Sequence, residues 1–324
     1  MTVPCVRVRP QAGEETRQAL ADRDCLDTRY DITVEDGWLY LPVTDAPDSF
    51  EVVAFDAPER ETQTTPADLL GFDPSLERLG DIVIIDEDDD ERAQAIADAV
   101  MASDLPAKTV VNRASKIKGE LRVRDWDVLA GNGTETVHRE YGCAFELDIA
   151  RVYFSPRLAT ERHRVTEQVR EDERFLDMFA GVGPFVIPAA RRGAECVGCD
   201  LNEAAVDYLR RNAERNAVAD RVTPIHGNVR ELVPEYENWA DRLVANLPHS
   251  ANEFLDTAVA LAADDCVLHY YDIQHDEAPF APGLEAIREA AEPAGYTVAV
   301  ETERVVRSYA PHELNVCLDV RLTR

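Results

Sequence analysis

The sequence predicts an α/β protein: a doubly wound, mostly parallel sheet with a terminal antiparallel hairpin, preceded by two smaller α/β modules. Three observations predict it. After Arg157, helical and strand-like segments alternate in regular order; the chain closes on two successive apolar strands; and the strands before Arg157 are short and interrupted by linker-like stretches. A length of 324 residues fits about two to three domains.

In chain order, Val6–Arg9 reads as a strand and Glu14–Ala21 as a helix, while Asp31–Val43 reads as two strands turning at Asp36-Gly37. Asp45–Thr65, rich in Asp, Pro and Thr, reads as a linker with one strand at Val52–Phe55. A second module carries a strand at Asp81–Ile85, a helix at Arg92–Met101, and strands at Thr109–Asn112, Asp127–Ala130 and Thr136–Tyr153. The alternation then starts with a helix at Leu158–Val169, a buried strand at Phe175–Met178, a helix at Gly183–Arg192 and a strand at Cys196–Asp200. Glu203–Asn216 is amphipathic, with Val206, Leu209 and Ala213 on one face. Strands at Val222–Ile225, Leu243–Asn246 and Cys266–Asp272 follow, with helices at Asn252–Ala262 and Leu284–Ala291; Thr297–Val306 and Val316–Leu322 form the hairpin. The expected division is 1–62, 66–156 and 157–324.

Charge at first argues against a nucleic-acid partner, because Lys and Arg number 34 against 63 Asp and Glu, for a net −29. Only three of those cations are lysines, however, and acidic runs such as Asp86–Arg92 suit a halophilic protein. At about 1 M salt the Debye length is about 3 Å, so net charge no longer reports the partner. No apolar run approaches a membrane span, and Met1–Pro10 lacks the apolar core of a signal peptide, so a cytoplasmic location without membrane contact is expected. Seven scattered cysteines read as reduced thiols; Cys196 and Cys199 have C-x-x-C spacing but lie in a strand, which sends them to opposite faces as small hydrophobes.

The strongest chemical signal is Asp177-Met178-Phe179-Ala180-Gly181-Val182-Gly183-Pro184-Phe185, at the turn from the first strand of the large sheet into its first helix. Gly181 and Gly183 permit close backbone approach to a ligand. A dinucleotide site would require a third glycine, which is missing here. Asp200, followed by Leu201, ends the second strand 23 residues after Asp177, where a carboxylate can accept from both ribose hydroxyls; Asn228 and Val229 follow the third strand, placing an amide at an adenine edge. This set describes S-adenosylmethionine better than a dinucleotide. After the fourth strand, Asn246-Leu247-Pro248-His249 offers an amide and a stiffened loop to a planar base. His249 reads as a solvent-facing or structural residue.

Tyr153–Arg162 (YFSPRLATER), Asp177–Phe185, Asn246–Leu255 (NLPHSANEFL) and His269-Tyr270-Tyr271 together resemble the archaeal and eukaryotic tRNA (guanine-N1-)-methyltransferases that modify position 37 beside the anticodon. The likeness covers Asp81 to the C-terminus well, and the N-terminal module matches in position and size. It implies a class I, Rossmann-like methyltransferase that uses S-adenosylmethionine and takes tRNA through its anticodon stem-loop and a distal region; nothing in the sequence suggests an obligate dimer, so a monomer is expected. A requirement for Mg²⁺ does not follow.

Guanine N1 carries a proton in the neutral base, so methylation requires a general base and a cation near O6. The resemblance implies Glu161 as that base. On a helix its neighbour Arg162 points about 100° away and is free to hold the cofactor's carboxylate. The O6 cation falls in Gly119-Glu120-Leu121-Arg122, which implies Arg122; Arg124, on the same strand face, remains the alternative. Tyr153 would pack near the base. Ala107–Arg124 carries Lys108, Arg113, Lys116, Lys118, Arg122 and Arg124 against Glu120 alone, and holds every lysine of the chain, as a phosphate-binding strip would. Rival readings are an aminocarboxypropyl transferase on the same scaffold, an idle RNA-binding protein and a small-molecule methyltransferase.

Overall fold

The structure is a computed structural model and describes residues 2–45, 49–60, 63–115, 119 and 123–324. It divides into two compact units, Met1–Thr64 and Thr65–Arg324.

In the first unit, β1 (Val3–Val8), β2 (Thr33–Glu35), β3 (Trp38–Pro42) and β4 (Val52–Phe55) form an antiparallel sheet in the order β2-β3-β1-β4. Helix α1 (Gly13–Ala21) buries Leu20 against Val6, Leu41 and Val43 on one face of that sheet. Tyr40 and Phe55 stack at 3.8 Å between ring centres.

The second unit begins with α2 (Pro66–Leu70), then β5 (Glu77–Leu79), β6 (Ile82–Ile85), α3 (Asp90–Ala102), β7 (Thr109–Arg113) and β8 (Trp126–Gly131). The four strands form one sheet, β5-β6-β7-β8. All four residues of β6 are buried; Val83 and Ile85 meet Ala93, Ile96 and Val100 of α3, while Ile82 and Ile84 face the other core. The acidic run at Asp86–Arg92 has a structural use here. Asp89 caps α3 by accepting from the Arg92 amide at 2.9 Å, and Asp90 and Glu91 sit in the first turn, where negative charge is favoured. Thr136–Tyr153 folds as a hairpin, β9 (Glu135–Glu140) and β10 (Cys143–Asp148), because Tyr141 and Gly142 both take left-handed φ values, 44° and 77°.

The large sheet comprises β11 (Arg174–Asp177), β12 (Glu195–Asp200), β13 (Val222–His226), β14 (Ala240–Ala245), β15 (Ala262–His275), β16 (Thr297–Ala310) and β17 (Glu313–Thr323), in the order β13-β12-β11-β14-β15-β17-β16. The first five are parallel, and β17 inserts antiparallel between β15 and β16. Strand order reverses between β11 and β14, which opens a crevice at their carboxyl ends. Helices α4 (Ala159–Thr166), α5 (Val186–Arg191) and α6 (Glu203–Arg215) accompany one layer of core, and α7 (Val233–Tyr236), α8 (Leu255–Leu261) and α9 (Ala281–Ala291) the other. Cys196 packs in the first layer and Cys199 in the second, both fully buried. α5 starts three residues later than expected because Gly183 is held at φ +90°, outside the helical region. Asn212 of α6 ties the hairpin to this layer: its Oδ1 accepts from the Glu146 amide at 2.7 Å and its Nδ2 donates to the Glu146 and Val182 carbonyls. Among the described residues no helix is long and apolar enough to cross a membrane.

Candidate active site

Asp177 ends β11 fully buried, and its Oδ1 accepts from the Phe179 amide at 3.0 Å, which starts the turn. The Ala180 amide reaches back to the Cys199 carbonyl at 2.8 Å, so the turn is stitched to β12. Gly181, at φ +53°, donates its N–H to Asp200 Oδ2 at 2.7 Å, while Asp200 Oδ1 accepts from the Asn202 amide at 2.8 Å. A Cβ on Gly181 would meet only the Tyr153 carbonyl, at 4.0 Å; one on Gly183 would strike Leu209 Cδ1 at 2.4 Å. Gly181 therefore leaves room for a ligand, whereas Gly183 lets α5 pack on α6. Burial, with the Asp200 charge adding to it, pushes the Asp177 carboxyl up to about 7, and burial also raises Asp200.

Beside this turn Leu201 is 45% exposed, large for an apolar side chain at a strand end. Asn228 caps the short turn that follows β13 by accepting from the Arg230 amide, and Val229 beneath it is buried. Phe179 meets Phe254 edge-on at 5.0 Å. Each Asp200 oxygen keeps a lone pair beyond its backbone bond, so a diol, an adenine edge and an apolar base face all find partners at three adjacent strand ends. That donor set fits S-adenosylmethionine.

After β14, the Leu247 carbonyl accepts from the Ser250 and Ala251 amides, and the Pro248 carbonyl accepts from the Ile273 amide at 3.2 Å. Those bonds pin the loop to β15. Asn246 is half-buried, and among the described residues no hydrogen bond engages its side chain. His249 is exposed and its Nε2 lies 3.1 Å from the Tyr309 hydroxyl.

Glu161, in the first turn of α4, is only 4% exposed. Its Oε1 accepts from Arg164 Nη2 at 2.7 Å and from the Tyr271 hydroxyl at 2.9 Å; Arg164 Nε bridges both oxygens at 3.1 and 3.0 Å, and Arg304 Nε lies 2.8 Å from Oε2. Arg164 is itself pinned by Asp319 on β17. Asp319 also accepts from His269 Nδ1 at 2.6 Å, and His269 Nε2 meets Arg242 Nη1 at 2.8 Å. An arginine can only donate, so His269 is the neutral Nδ1–H tautomer. Its burial accordingly lowers its affinity for a proton. Burial alone would raise Asp319, but hydrogen bonds from His269 and Arg164 hold it well below the usual carboxylate range.

The profile of the TRM5/TYW2 methyltransferase domain matches residues 136–299, that of the tRNA methyltransferase 5 N-terminal domain residues 5–51, and that of the TYW2 N-terminal domain residues 63–134. The tRNA (guanine(37)-N(1))-methyltransferase Trm5b of Pyrococcus abyssi is 40% identical over 98% of both chains. The chain belongs to the TRM5/TYW2 methyltransferase family. A solved complex of aTrm5 and tRNALeu aligns with 98% of this chain and 99% of its own, at 31% identity and a TM-score of 0.74. TYW2 of Methanocaldococcus jannaschii, solved in complex with AdoMet, aligns with 77% of this chain and all of its own, at 27% identity and a TM-score of 0.63.

Within this TRM5/TYW2 chain, Arg162 is engaged by protein partners. Glu161 and Arg162 diverge on the helix, but the Arg162 fork closes on Glu140 of β9, with both nitrogens at 2.7 Å, and Nη1 donates to the Ser155 carbonyl. At 3% exposure it is a buried clamp joining α4 to the hairpin. Arg113 is similarly occupied, by Asp86 and by Glu77, which Arg157 also grips. Lys108 lines an open groove together with Arg78, Arg139 and Arg215 and with Asp81, Glu135 and Glu146. Lys116, Lys118 and Arg122 lie outside the described residues. Arg124 lies over the Trp126 ring at 5.3 Å, with no ion pair to any described carboxylate; burial and the Arg113 charge lower its hold on its proton. Tyr153 is half-buried, its carbonyl facing Gly181.

Sequence reasoning gave no role to Arg164, Tyr271, Arg304, His269 or Asp319, although His269 and Tyr271 lie in a stretch that carries the family resemblance. The available signal was a pattern of polar residues inside apolar strands, at His269 in Cys266–Tyr271 and Asp319 in Val316–Leu322, where an uncompensated polar group would be costly.

Proposed function

We infer that the chain transfers a methyl group from S-adenosylmethionine to N1 of guanine at tRNA position 37. The observation that carries this reading is likeness to Trm5b across 98% of the chain, N-terminal unit included, where the TYW2 likeness stops at 77%. When bound, S-adenosylmethionine supplies an electrophilic methyl group. Asp200 would hold its ribose hydroxyls, Leu201, Asn228 and Val229 its adenine, and the turn Asp177, Phe179, Ala180, Gly181 and Gly183 the rest. Glu161 takes the N1 proton as the methyl group arrives, which leaves the neutral product base. The Asn246 amide reads the base edge, the Pro248 ring fixes the loop, and Tyr153 packs beside the base. A guanidinium from the 107–124 strip, Arg122 or Arg124, stabilises the charge on O6, while Lys108 and its neighbours meet phosphates. The 1–62 module grips a distal part of the tRNA, 66–156 completes the base pocket, and 157–324 holds the cofactor. An acidic surface with so few lysines fits a cytoplasm of concentrated salt.

Methyl transfer to a tRNA transcript with guanine at position 37, and to the same transcript with adenine there, tests the reading. Labelling of the guanine transcript alone, with a mass gain of about 14, is expected; a gain of about 101 would mean transfer of the aminocarboxypropyl arm instead. Equal labelling of both transcripts would overturn the assignment of the base.

A further inference from the structure

Glu161 cannot take a proton from a base in the arrangement described above. A carboxylate offers about four lone-pair sites. Oε1 is filled by Arg164 and Tyr271, and Oε2 is shared between Arg164 and Arg304. For N1–H to reach it, one partner must leave.

The three partners differ in how they are held. Tyr271, on β15, is 1% exposed and packed among Phe185 and Cys317. Arg164 is locked by two contacts to Asp319, which is itself fixed by His269. Arg304 is different. It stands on β16, the edge strand, opposite Cys317 of β17, with a side chain 42% exposed, and the ion pair to Glu161 is its sole described salt bridge. The groups around Glu161 are thus Arg164 on its own helix, Tyr271 and His269 on β15, Cys317 and Asp319 on β17, and Arg304 on β16; only the last lies on the solvent side.

We propose that Arg304 is a removable cover on Glu161, which closes Oε2 in the tRNA-free enzyme and is displaced when the target guanine is presented. It is a positioning residue: it touches the base catalyst and acts through it. The consequence is that proton acceptance is coupled to docking, and the carboxylate is kept from water until the substrate arrives. This rests on the activity inferred above.

The test is the pH dependence, from about pH 5 to 8, of single-turnover methylation of a guanine-37 transcript with the enzyme below saturation, where the rate reports the free enzyme, by wild type, Arg304→Ala and Arg304→Lys, with thermal melting as a check of folding. Removing a cation beside a carboxylate lets it bind a proton at higher pH, so the acid limb of the Arg304→Ala profile should move up by about one unit. Its plateau rate should rise roughly two- to fivefold, the size of a half-exposed ion pair. Arg304→Lys keeps the charge and should restore the wild-type limb. An Arg304→Ala limb that coincides with wild type, or a plateau lost by more than about tenfold in a normally melting protein, would overturn the cover. Failure of wild type to label the transcript would instead overturn the activity itself, and the cover with it.

Discussion

The cofactor turn and the Glu161 cluster sit in one unit and are built on different principles. The turn is local: its donors are backbone N–H groups, and Asp177, Gly181 and Asp200 are placed by where β11 and β12 end. The cluster is assembled at long range, since Arg164 and Asp319 lie 155 residues apart and Tyr271 and Glu161 lie 110 apart. A site made of backbone donors closing on strand-end carboxylates depends on glycine and on those two aspartates. A site made of buried charges depends on every member, because removing one strands another.

Several substitutions can break or sharpen that contrast. The largest effect is expected at Asp319→Ala, which leaves Arg164 and His269 without their shared acceptor; stability should fall by about 3–5 kcal/mol, read from the denaturant midpoint. A loss below about 1 kcal/mol would show that the cluster is not interdependent. Asp200→Ala should act more gently on stability, by about 1–3 kcal/mol through the Gly181 and Asn202 amides it leaves without an acceptor, and should weaken S-adenosylmethionine binding roughly 10- to 100-fold by calorimetry. The effect of Asp177→Asn is conditional, because it depends on pH. The native carboxyl keeps its proton up to about 7, whereas the unfolded one loses it near 3.8, so native stability declines as pH rises through that window. Asparagine removes that decline. The variant should exceed wild type at pH 8 by between about 1 and 4 kcal/mol, and the advantage should vanish near pH 4. An advantage that is independent of pH would contradict the burial argument.

The same contrast explains what the sequence revealed. The alternation after Arg157, the terminal hairpin and the glycine turn were legible because each is a short-range pattern of polarity or backbone permissiveness. Asp200 was legible because strand ends fall at regular spacing. Arg162 shows where such reasoning stops: its direction relative to Glu161 followed from helix geometry, but its partner, Glu140, is set by a hairpin whose packing leaves no local mark. The partners of Arg113, Glu77 and Asp86, are set in the same way and leave no local mark either. Buried pairs are specified by three-dimensional packing, and residues 155 positions apart share no periodicity.

The separability of the two regions is tested most directly at Glu161→Gln. Single-turnover methylation of the guanine-37 transcript and calorimetric binding of S-adenosylmethionine should be measured on the same preparation. The account predicts a rate loss of about 10²- to 10⁴-fold with cofactor affinity within about threefold of wild type. An unchanged rate, or a rate and an affinity that fall together, would contradict it.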